Sequence, residues 1–331
     1  MLTKLGPISA ATAFALFAAG CSEFGPASAG GSGNVDKQLS ELPAGTRVEP
    51  APAARLQAKF RDHGYELDAV RSNGNPVPRL YVVALPPDIA DVAEVDARKR
   101  LFIRCVLPAV LAVNEAIAAD RRFVSGAREL LADGGTLAPG DRSRLDRIFD
   151  KYDVERGDIA TLLRRVDVVP PALALAQAAI ESGWGRSRFA QEGRALFGQH
   201  AASESDGLAA RGVKDGSVRV QSFRSLRQSV ASYMRNLNTH AAYDAFRGQR
   251  AAMRERGMLP DGHGLAGTLI AYSERRQTYV KELRAIIDAN AFASFDQARL
   301  ADGNPHTADS DDRLAANTRA GQGRAGTQGE S

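Results

Sequence analysis

Residues 176–187 read Ala-Gln-Ala-Ala-Ile-Glu-Ser-Gly-Trp-Gly-Arg-Ser and carry the strongest structural signal of the 331-residue chain. The alanine-rich run predicts a packed helix that starts at the proline pair 170–171 and stops where two glycines follow. Glu181 then lies in the last turn, close to Trp184, the only tryptophan of the sequence. Apolar surroundings and the negative end of a helix dipole both raise the pKa of a carboxyl group. The sequence therefore predicts an acid that keeps its proton near neutral pH, as glycoside hydrolysis requires.

Further motifs follow this stretch along the chain. They are Ala195-Leu196-Phe197-Gly198, Phe223-Arg224-Ser225-Leu226, Thr239-His240-Ala241-Ala242-Tyr243, Leu269-Ile270-Ala271-Tyr272-Ser273-Glu274-Arg275 and Thr278-Tyr279-Val280-Lys281-Glu282-Leu283. Together and in this order, they resemble the bacterial glucosaminidase family of the lysozyme superfamily. The family signature is Glu-Ser-Gly-Trp-Gly after an alanine-rich helix, with Asn-Leu-Phe-Gly or a variant shortly downstream. Here Ala195 stands where the family has asparagine.

Another set of motifs is similar to one subgroup of this family, the Bax-type proteins. These motifs are Arg98-Lys99-Arg100-Leu101-Phe102, Leu107-Pro108, Val113-Asn114-Glu115, Asn238-Thr239-His240 and Tyr272-Ser273-Glu274-Arg275. With them the resemblance extends from Val77 to Phe292. It implies a mainly α fold, with a lysozyme-like helical domain, a small β-lobe and an N-terminal helical extension.

The resemblance also implies roles for individual side chains. Glu181 stands at the position of the family's general acid, and Tyr272 matches the tyrosine that lines the cleft beside the scissile bond. Trp184, Phe197 and Gln199 are expected to bind substrate. Two roles remain open for Trp184, since it either supports the Glu181 turn from the core or stacks on a sugar.

A second catalytic carboxylate is harder to assign. Many family members place a glutamate in the β-lobe shortly before the Phe-Arg motif, where this sequence has Ala209-Ala210-Arg211-Gly212. Among the nearby acids Glu204, Asp206 and Asp215, the last has the best position for a water-activating base, although an aspartate before glycine is ordinarily turn chemistry. Without such a base, water positioned by Tyr272 and backbone groups, or the acetamido group of the substrate, takes that role.

Both ends of the chain differ in composition from the middle. Residues 1–21 predict an export signal, because an apolar run too short for a permanent membrane span precedes Ala18-Ala19-Gly20-Cys21. The small residues suit cleavage and acylation at Cys21, and an ordinary secretory signal cleaved nearby is the alternative. Residues 22–52, rich in Gly, Ser, Ala and Pro, predict a flexible linker, and residues 302–331 predict a disordered tail.

The middle of the chain divides into a helical extension over residues 77–165 and a catalytic domain over residues 166–292. The first part opens with an extended, proline-bounded segment at 77–87, either an edge strand or a clasp. Apolar residues at three-to-four spacing then predict a long helix from Asp96 to Ala119 with a possible kink at Pro108. Other helices are predicted near 141–151, 154–164, 226–239, 248–256, 265–272 and 277–289, and a small strand within 212–223.

Three residues are assigned to the core and no residue to a metal. Cys105 lies in an apolar run and predicts a buried, inert thiol. If Cys21 is acylated, Cys105 is the only remaining thiol, and we then expect no intramolecular disulfide. Tyr279 and Phe223 are assigned to the core because periodic aromatic residues on helices usually pack there. The histidines 200, 240 and 263 are too scattered for a helix-borne metal motif, so no metal and no cofactor is predicted.

The formal net charge of +4 is only mildly basic. It is compatible with an anionic polymer such as the cell wall, and no block of Lys and Arg is dense enough to predict nucleic-acid binding. The expected partners are peptidoglycan glycan strands and, through the Cys21 lipid, a membrane. Because Ser22 rather than aspartate follows Cys21, we expect the outer membrane, with the protein facing the periplasm.

These observations predict an endo-β-N-acetylglucosaminidase that cleaves peptidoglycan, with Glu181 as general acid. Muramidases and lytic transglycosylases share the lysozyme-like fold and are neighbouring possibilities. The alternative from another class is a non-catalytic wall-binding or scaffold lipoprotein on the same fold, which the missing β-lobe glutamate would favour.

Overall fold

The computed structural model describes residues 42–201, 207–209 and 219–302. Cys21 and Asp215, which have predicted roles, lie outside the described residues, as do Glu204 and Asp206. The described part is mainly helical. Its α-helices are, in chain order, α1 (Ala53–Asp62), α2 (Leu67–Asn73), α3 (Val95–Ala132), α4 (Pro139–Lys151), α5 (Ile159–Arg165), α6 (Pro171–Ser182), α7 (Arg188–Glu192), α8 (Leu226–Thr239), α9 (Asp244–Glu255), α10 (Gly262–Ala266) and α11 (Gln277–Ala289).

Within the described ranges, two small sheets accompany the helices. One pairs β1 (Thr46–Val48) with β2 (Leu80–Val82) in parallel, and the other pairs β3 (Gly207–Ala209) with β4 (Arg219–Gln221) in antiparallel register. The second sheet packs on α7 through its own cluster of Phe189, Ala195, Val220 and Phe223. The prediction of a mainly α fold with a small β-lobe and an N-terminal helical extension is confirmed.

The folded part begins earlier in the chain than the sequence indicated. β1 lies inside the predicted linker, residues 22–52, and α1 and α2 follow where no element was predicted. Three residues are too few for a periodic signal, and β1 is held by main-chain pairing with β2. Leu56 and Phe60 of α1 and Leu67 of α2 belong to the main core. The end of the linker prediction is therefore corrected to a point before Thr46.

Residues 77–79 hold both ends of the described fold. The main-chain N–H of Thr46 donates to the carbonyl of Arg79 (2.8 Å), and that of Ala301 donates to another carbonyl of the same segment (2.9 Å). The guanidinium of Arg79 also donates to the carbonyl of Ala301 (2.7 Å). The segment predicted as an edge strand or a clasp thus provides β2 and joins the two ends of the fold.

The two halves of α3 pack into different cores. The first half lies in the main core and contains Pro108 without ending there. Helix α3 is long and apolar enough to cross a membrane, but 78% of its apolar 18-residue window is buried inside the protein, as in a core helix. The second half continues past the predicted end at Ala119 to Ala132, because Val124 and its neighbours pack with α4 and α5 around Phe149.

Helix α6 is central to the main core. It contacts α3, α10, α11 and the 3₁₀ turn Phe292–Phe295, and all its residues except Ile180 are buried. Its alanines let neighbours approach closely, since a Cβ on Gly262 of α10 would lie 2.8 Å from that of Ala172. The predicted burial of the Cys105 thiol on α3 is confirmed, and burial raises the pKa of this thiol.

One predicted helix is divided in the structure. The segment 265–272 forms the end of α10 and a 3₁₀ turn, Leu269–Tyr272, instead of one helix. Gly267 is a weak helix former, and the hydroxyl of Thr268 donates to the carbonyl of Leu265 (2.7 Å), which ties the chain into a turn. The break positions Tyr272 ahead of α11.

Candidate active site

Glu181 lies in the last turn of α6, directly before the helix is capped. Gly183 follows with φ 58° in the left-handed region. The N–H of Trp184 donates to the carbonyl of Ala179 (2.9 Å), which is the bonding of a Schellman cap. The glycine that ends the predicted helix is therefore required by the backbone conformation that terminates it.

The second glycine of the stretch is required for a different reason. Gly185 has φ 80°, and a Cβ there would lie 2.7 Å from Cδ1 of Leu85 and 3.3 Å from Cδ2 of Phe102. Its N–H donates to the hydroxyl of Ser182 (2.9 Å). The chain thus leaves α6 in close contact with α3, and the position of Glu181 is set by a turn with little freedom.

The carboxyl group of Glu181 is buried, with 9% of the residue exposed. Burial raises its pKa from 4.5 to about 8, and this effect is larger than any other. A hydrogen bond from Tyr279 and the positive charge of Arg275 lower the pKa, whereas the negative charge of Glu282 raises it. At neutral pH Glu181 is therefore protonated, as a general acid must be.

Two stacked tyrosines adjoin Glu181. The hydroxyl of Tyr279, on α11, donates to Oε1 of Glu181 (3.0 Å). The ring of Tyr272 lies parallel to that of Tyr279, with centroids 5.6 Å apart and planes 9° apart. The hydroxyl of Tyr272 donates to the carbonyl of Phe197 (3.4 Å). The predicted site residues Glu181 and Tyr272 thus both contact one residue, Tyr279.

Behind Tyr279, a line of buried hydrogen bonds continues into the core. Gln177 lies one helical turn before Glu181 on α6, and its amide donates to the hydroxyl of Tyr279 (2.9 Å). The hydroxyl of Tyr233, on α8, donates to Oε1 of Gln177 (2.5 Å). Gln177, Tyr233 and Tyr279 are each at most 1% exposed. Three helices therefore contribute to holding Glu181.

Phe197 contacts two tyrosines of this arrangement, Tyr233 and Tyr272. Its ring stacks on Tyr233, with centroids 3.8 Å apart and planes 4° apart, and is 1% exposed. The ring therefore fills the core under Tyr233, and the role of Phe197 in substrate binding stays a prediction. Its carbonyl, which accepts from Tyr272, is the part of the residue that reaches the site.

Trp184 and Gln199 lie at the margins of this site. The Trp184 indole packs edge-on against Phe102 of α3 (5.7 Å) and against Phe292 (6.1 Å), with the Lys99 ammonium over its ring (5.2 Å). These contacts match the first of its two possible roles, support of the turn. Gln199 is half-buried beside β4, and its side-chain oxygen has no hydrogen-bond partner among the described residues. Its role in substrate binding stays a prediction.

Comparison with known proteins assigns this chain to a family. Residues 157–292 match the family model described as mannosyl-glycoprotein endo-beta-N-acetylglucosaminidase, or glucosaminidase. The chain is also 33% identical over 210 residues to Protein bax of Escherichia coli (strain K12), which covers 62% of this chain and 74% of that protein. The chain belongs to the glucosaminidase family. The predicted resemblance to the family and to its Bax-type subgroup is confirmed.

A solved structure is also similar to this glucosaminidase-family chain. It is the catalytic domain of the autolysin Auto from Listeria monocytogenes, with 16% sequence identity and a TM-score of 0.32, covering 52% of this chain and 96% of that one. Gln177, Glu181, Tyr233, Tyr272 and Tyr279 all lie inside the residues that match the family model.

Two residues that adjoin Glu181 in the structure were not predicted as its neighbours. Tyr279 was assigned to the core, and it is buried, but its hydroxyl also bonds the acid. Gln177 was not singled out. A signal existed for it, because it precedes Glu181 by four residues and residues at this spacing lie on the same side of a helix. A lone polar side chain in an apolar helix that faces an acid indicates a shared network.

Other groups that could assist Glu181 remain predictions. Asp215, the proposed water-activating base, lies outside the described residues. Ala209, where many members have the second glutamate nearby, is described and forms the end of β3. In the described parts of the chain, no cluster of three or more His, Cys, Asp or Glu side chains is arranged to hold a metal ion.

Proposed function

We propose that this chain is a peptidoglycan hydrolase, an endo-β-N-acetylglucosaminidase that cleaves the glycan strand with Glu181 as general acid. The observation that carries the proposal is the buried carboxyl at the end of α6, whose pKa is raised to about 8. The family description, which names an endo-β-N-acetylglucosaminidase, supports the same bond type.

In the proposed reaction, Glu181 transfers its proton to the glycosidic oxygen as the bond from that oxygen to the anomeric carbon breaks. The electron pair of the bond stays with the oxygen, which leaves as a hydroxyl group, and water supplies the hydroxyl of the new reducing end. Tyr272 lies beside the acid through its stacking on Tyr279 and is the candidate for orienting substrate or water. Asp215 is the candidate base that activates the water.

The first test is the chemical identity of the products from purified sacculi. Mass spectrometry distinguishes reducing-end GlcNAc, expected here, from the reducing-end MurNAc of a muramidase and the anhydro-MurNAc of a lytic transglycosylase. E181Q keeps the size and polarity of the side chain but cannot donate a proton, so turnover should fall by about 10²- to 10⁴-fold.

The matched control is E192Q, which alters an exposed glutamate of α7 that pairs with Arg188 (3.2 Å). It should retain most activity. If a folded parent protein binds sacculi but releases no fragments over a range of pH and salt, the chain is instead a non-catalytic wall-binding protein. If E181Q is folded and as active as its parent, another residue is the acid.

We also propose that the protein is exported and anchored by a lipid on Cys21 to the outer membrane, facing the periplasm. The support is the Ala-Gly-Cys ending of the apolar leader and the serine that follows it. C21A should move the protein from the membrane fraction to the soluble fraction. An unchanged distribution would remove the anchor from the proposal while leaving the proposed chemistry intact.

A further inference from the structure

The buried line of hydrogen bonds behind Glu181 has a direction. The hydroxyl of Tyr233 donates to Oε1 of Gln177 (2.5 Å), so this oxygen is the acceptor end of the amide. The nitrogen of the same amide then faces Tyr279 and donates to its hydroxyl oxygen (2.9 Å). The Tyr279 proton is left to point at Oε1 of Glu181 (3.0 Å). Every donor in the series therefore points toward the acid.

This direction distinguishes the two oxygens of the Glu181 carboxyl. Oε1 accepts the hydrogen bond from Tyr279, and a proton on Oε1 as well would place two hydrogens between these oxygens. Oε2 has no hydrogen-bond partner among the described residues. We propose, on the basis of the function proposed above, that Tyr279 is a positioning residue which keeps the catalytic proton of Glu181 on Oε2.

The same hydrogen bond serves the second half of the reaction. Once Oε2 has given up its proton, Glu181 is an anion in a site that burial makes unfavourable for charge. The Tyr279 hydroxyl already donates to Oε1 and stabilises this anion without reorganisation. Gln177 and Tyr233 strengthen the donor by polarising the Tyr279 hydroxyl, since hydrogen bonds in series reinforce one another.

Rotation of the Gln177 amide by half a turn gives the competing arrangement. Its oxygen would then accept from Tyr279, and the Tyr279 oxygen would accept a proton held on Oε1 of Glu181. That proton would point into the core rather than toward a substrate. The two arrangements differ in which form of Glu181 the tyrosine stabilises: the anion in the first and the neutral acid in the second.

The test is a titration of the Glu181 carboxyl in the full chain, by carbon-13 NMR of labelled glutamate, with E181Q to assign the signal. If Tyr279 donates to Oε1, Y279F removes stabilisation of the anion and should raise the pKa of Glu181 by about one unit, or tenfold in proton affinity. Y233F should raise it by less. A fall in either variant, or no change in both, would overturn the proposal.

The control is Y65F, which removes a hydroxyl from a tyrosine that is 1% exposed, packs edge-on against Phe60 (5.6 Å) and has no hydrogen-bond partner for that hydroxyl among the described residues. It should leave the Glu181 titration unchanged. Arg275 and Glu282, the other described charges that act on Glu181, are kept in all variants, so their contribution cancels.

The titration also separates this proposal from the function on which it rests. In an active enzyme, Y279F should lower kcat and move the alkaline limb of the kcat–pH profile upward by the same interval as the titration. If the parent protein releases no glycan fragments but the pKa of Glu181 rises in Y279F, the proposed function fails and the placement of the proton stands. If the parent is active but the pKa of Glu181 falls in Y279F, the proposed function stands and the proposed placement of the proton fails.

Discussion

The fold buries the carboxyl group of Glu181, and this burial affects the stability of the protein as well as the chemistry of the group. Its pKa is about 8 in the folded protein and 4.5 as an unperturbed group. Between these two values the unfolded chain releases the proton while the folded chain retains it. The free energy of unfolding therefore decreases as pH rises from 4.5 to 8, by up to about 1.4 kcal/mol per pH unit. Below pH 4.5 both states are protonated and this contribution is fully present.

We therefore expect E181Q to be more stable than its parent, and increasingly so between pH 5 and pH 8. Glutamine has no proton to lose, and its side-chain oxygen can still accept from Tyr279. The measurement is the difference in free energy of unfolding between the two proteins as a function of pH. Asp296, whose pKa is raised to about 6, titrates in both proteins, so its contribution to the difference in free energy of unfolding cancels. A constant difference, or one that shrinks toward pH 8, would contradict the raised pKa.

At the scale of elements, the end of α6 requires two glycines, Gly183 and Gly185, for different reasons. Gly185 is the position less able to accept a side chain. It combines a positive φ with close contact to Leu85 and Phe102. An alanine there must strain the backbone and displace side chains of the main core. Since Glu181 lies four residues earlier, the same displacement alters the position of its carboxyl group.

Gly185→Ala should lower the free energy of unfolding by about 1–3 kcal/mol or more and reduce turnover. Gly126→Ala is the matched control on α3, where φ is not positive and a Cβ would meet nothing within 4 Å. It should raise stability by about 0.5–1 kcal/mol, because alanine is the better helix former. Urea unfolding of the three proteins measures both effects, and equal stabilities would refute this account of the turn.

The elements differ in how far the sequence predicted them. α8 and α11 have the predicted bounds, since their apolar faces are periodic. α8 also begins at a capping serine, because the hydroxyl of Ser225 accepts from the N–H of Gln228 (3.2 Å). β1 was missed because its partner β2 lies more than thirty residues away and main-chain pairing leaves no local pattern. The orientation of the Phe197 ring could not be predicted for a similar reason. Its motif indicated proximity to the site, but only the packing of Tyr233 from α8 shows which way the ring points.

At the scale of the whole molecule, a residue near the end of the described chain stabilises α6 from the end opposite to Glu181. Asp296 follows the 3₁₀ turn after α11, and its carboxylate accepts from two helix N-termini. Oδ1 accepts from the N–H of Ala172 on α6 (2.7 Å), and Oδ2 accepts from that of Gly262 on α10 (2.8 Å). One side chain thus ties three parts of the core together.

Asp296→Ala should lower the free energy of unfolding by about 2–4 kcal/mol, because two buried main-chain donors lose their acceptor. Asp288→Ala is the control, since Asp288 is an exposed acid of α11 whose ion pair with His263 (3.5 Å) is open to solvent. It should change stability by well under about 1 kcal/mol. Thermal unfolding of both variants at the same pH compares them, and similar losses would argue against a special role for Asp296.

Both ends of the described fold bond residues 77–79. We therefore expect the same fold to form when the chain starts and ends at a different position. Thr46 and Ala301 bond the same short segment, so a glycine–serine linker of modest length could join them covalently. New termini could then open at Gly134, in the exposed turn between α3 and α4. Such a circular permutant should fold and keep the arrangement around Glu181, and it would place a fusion partner at the turn between α3 and α4.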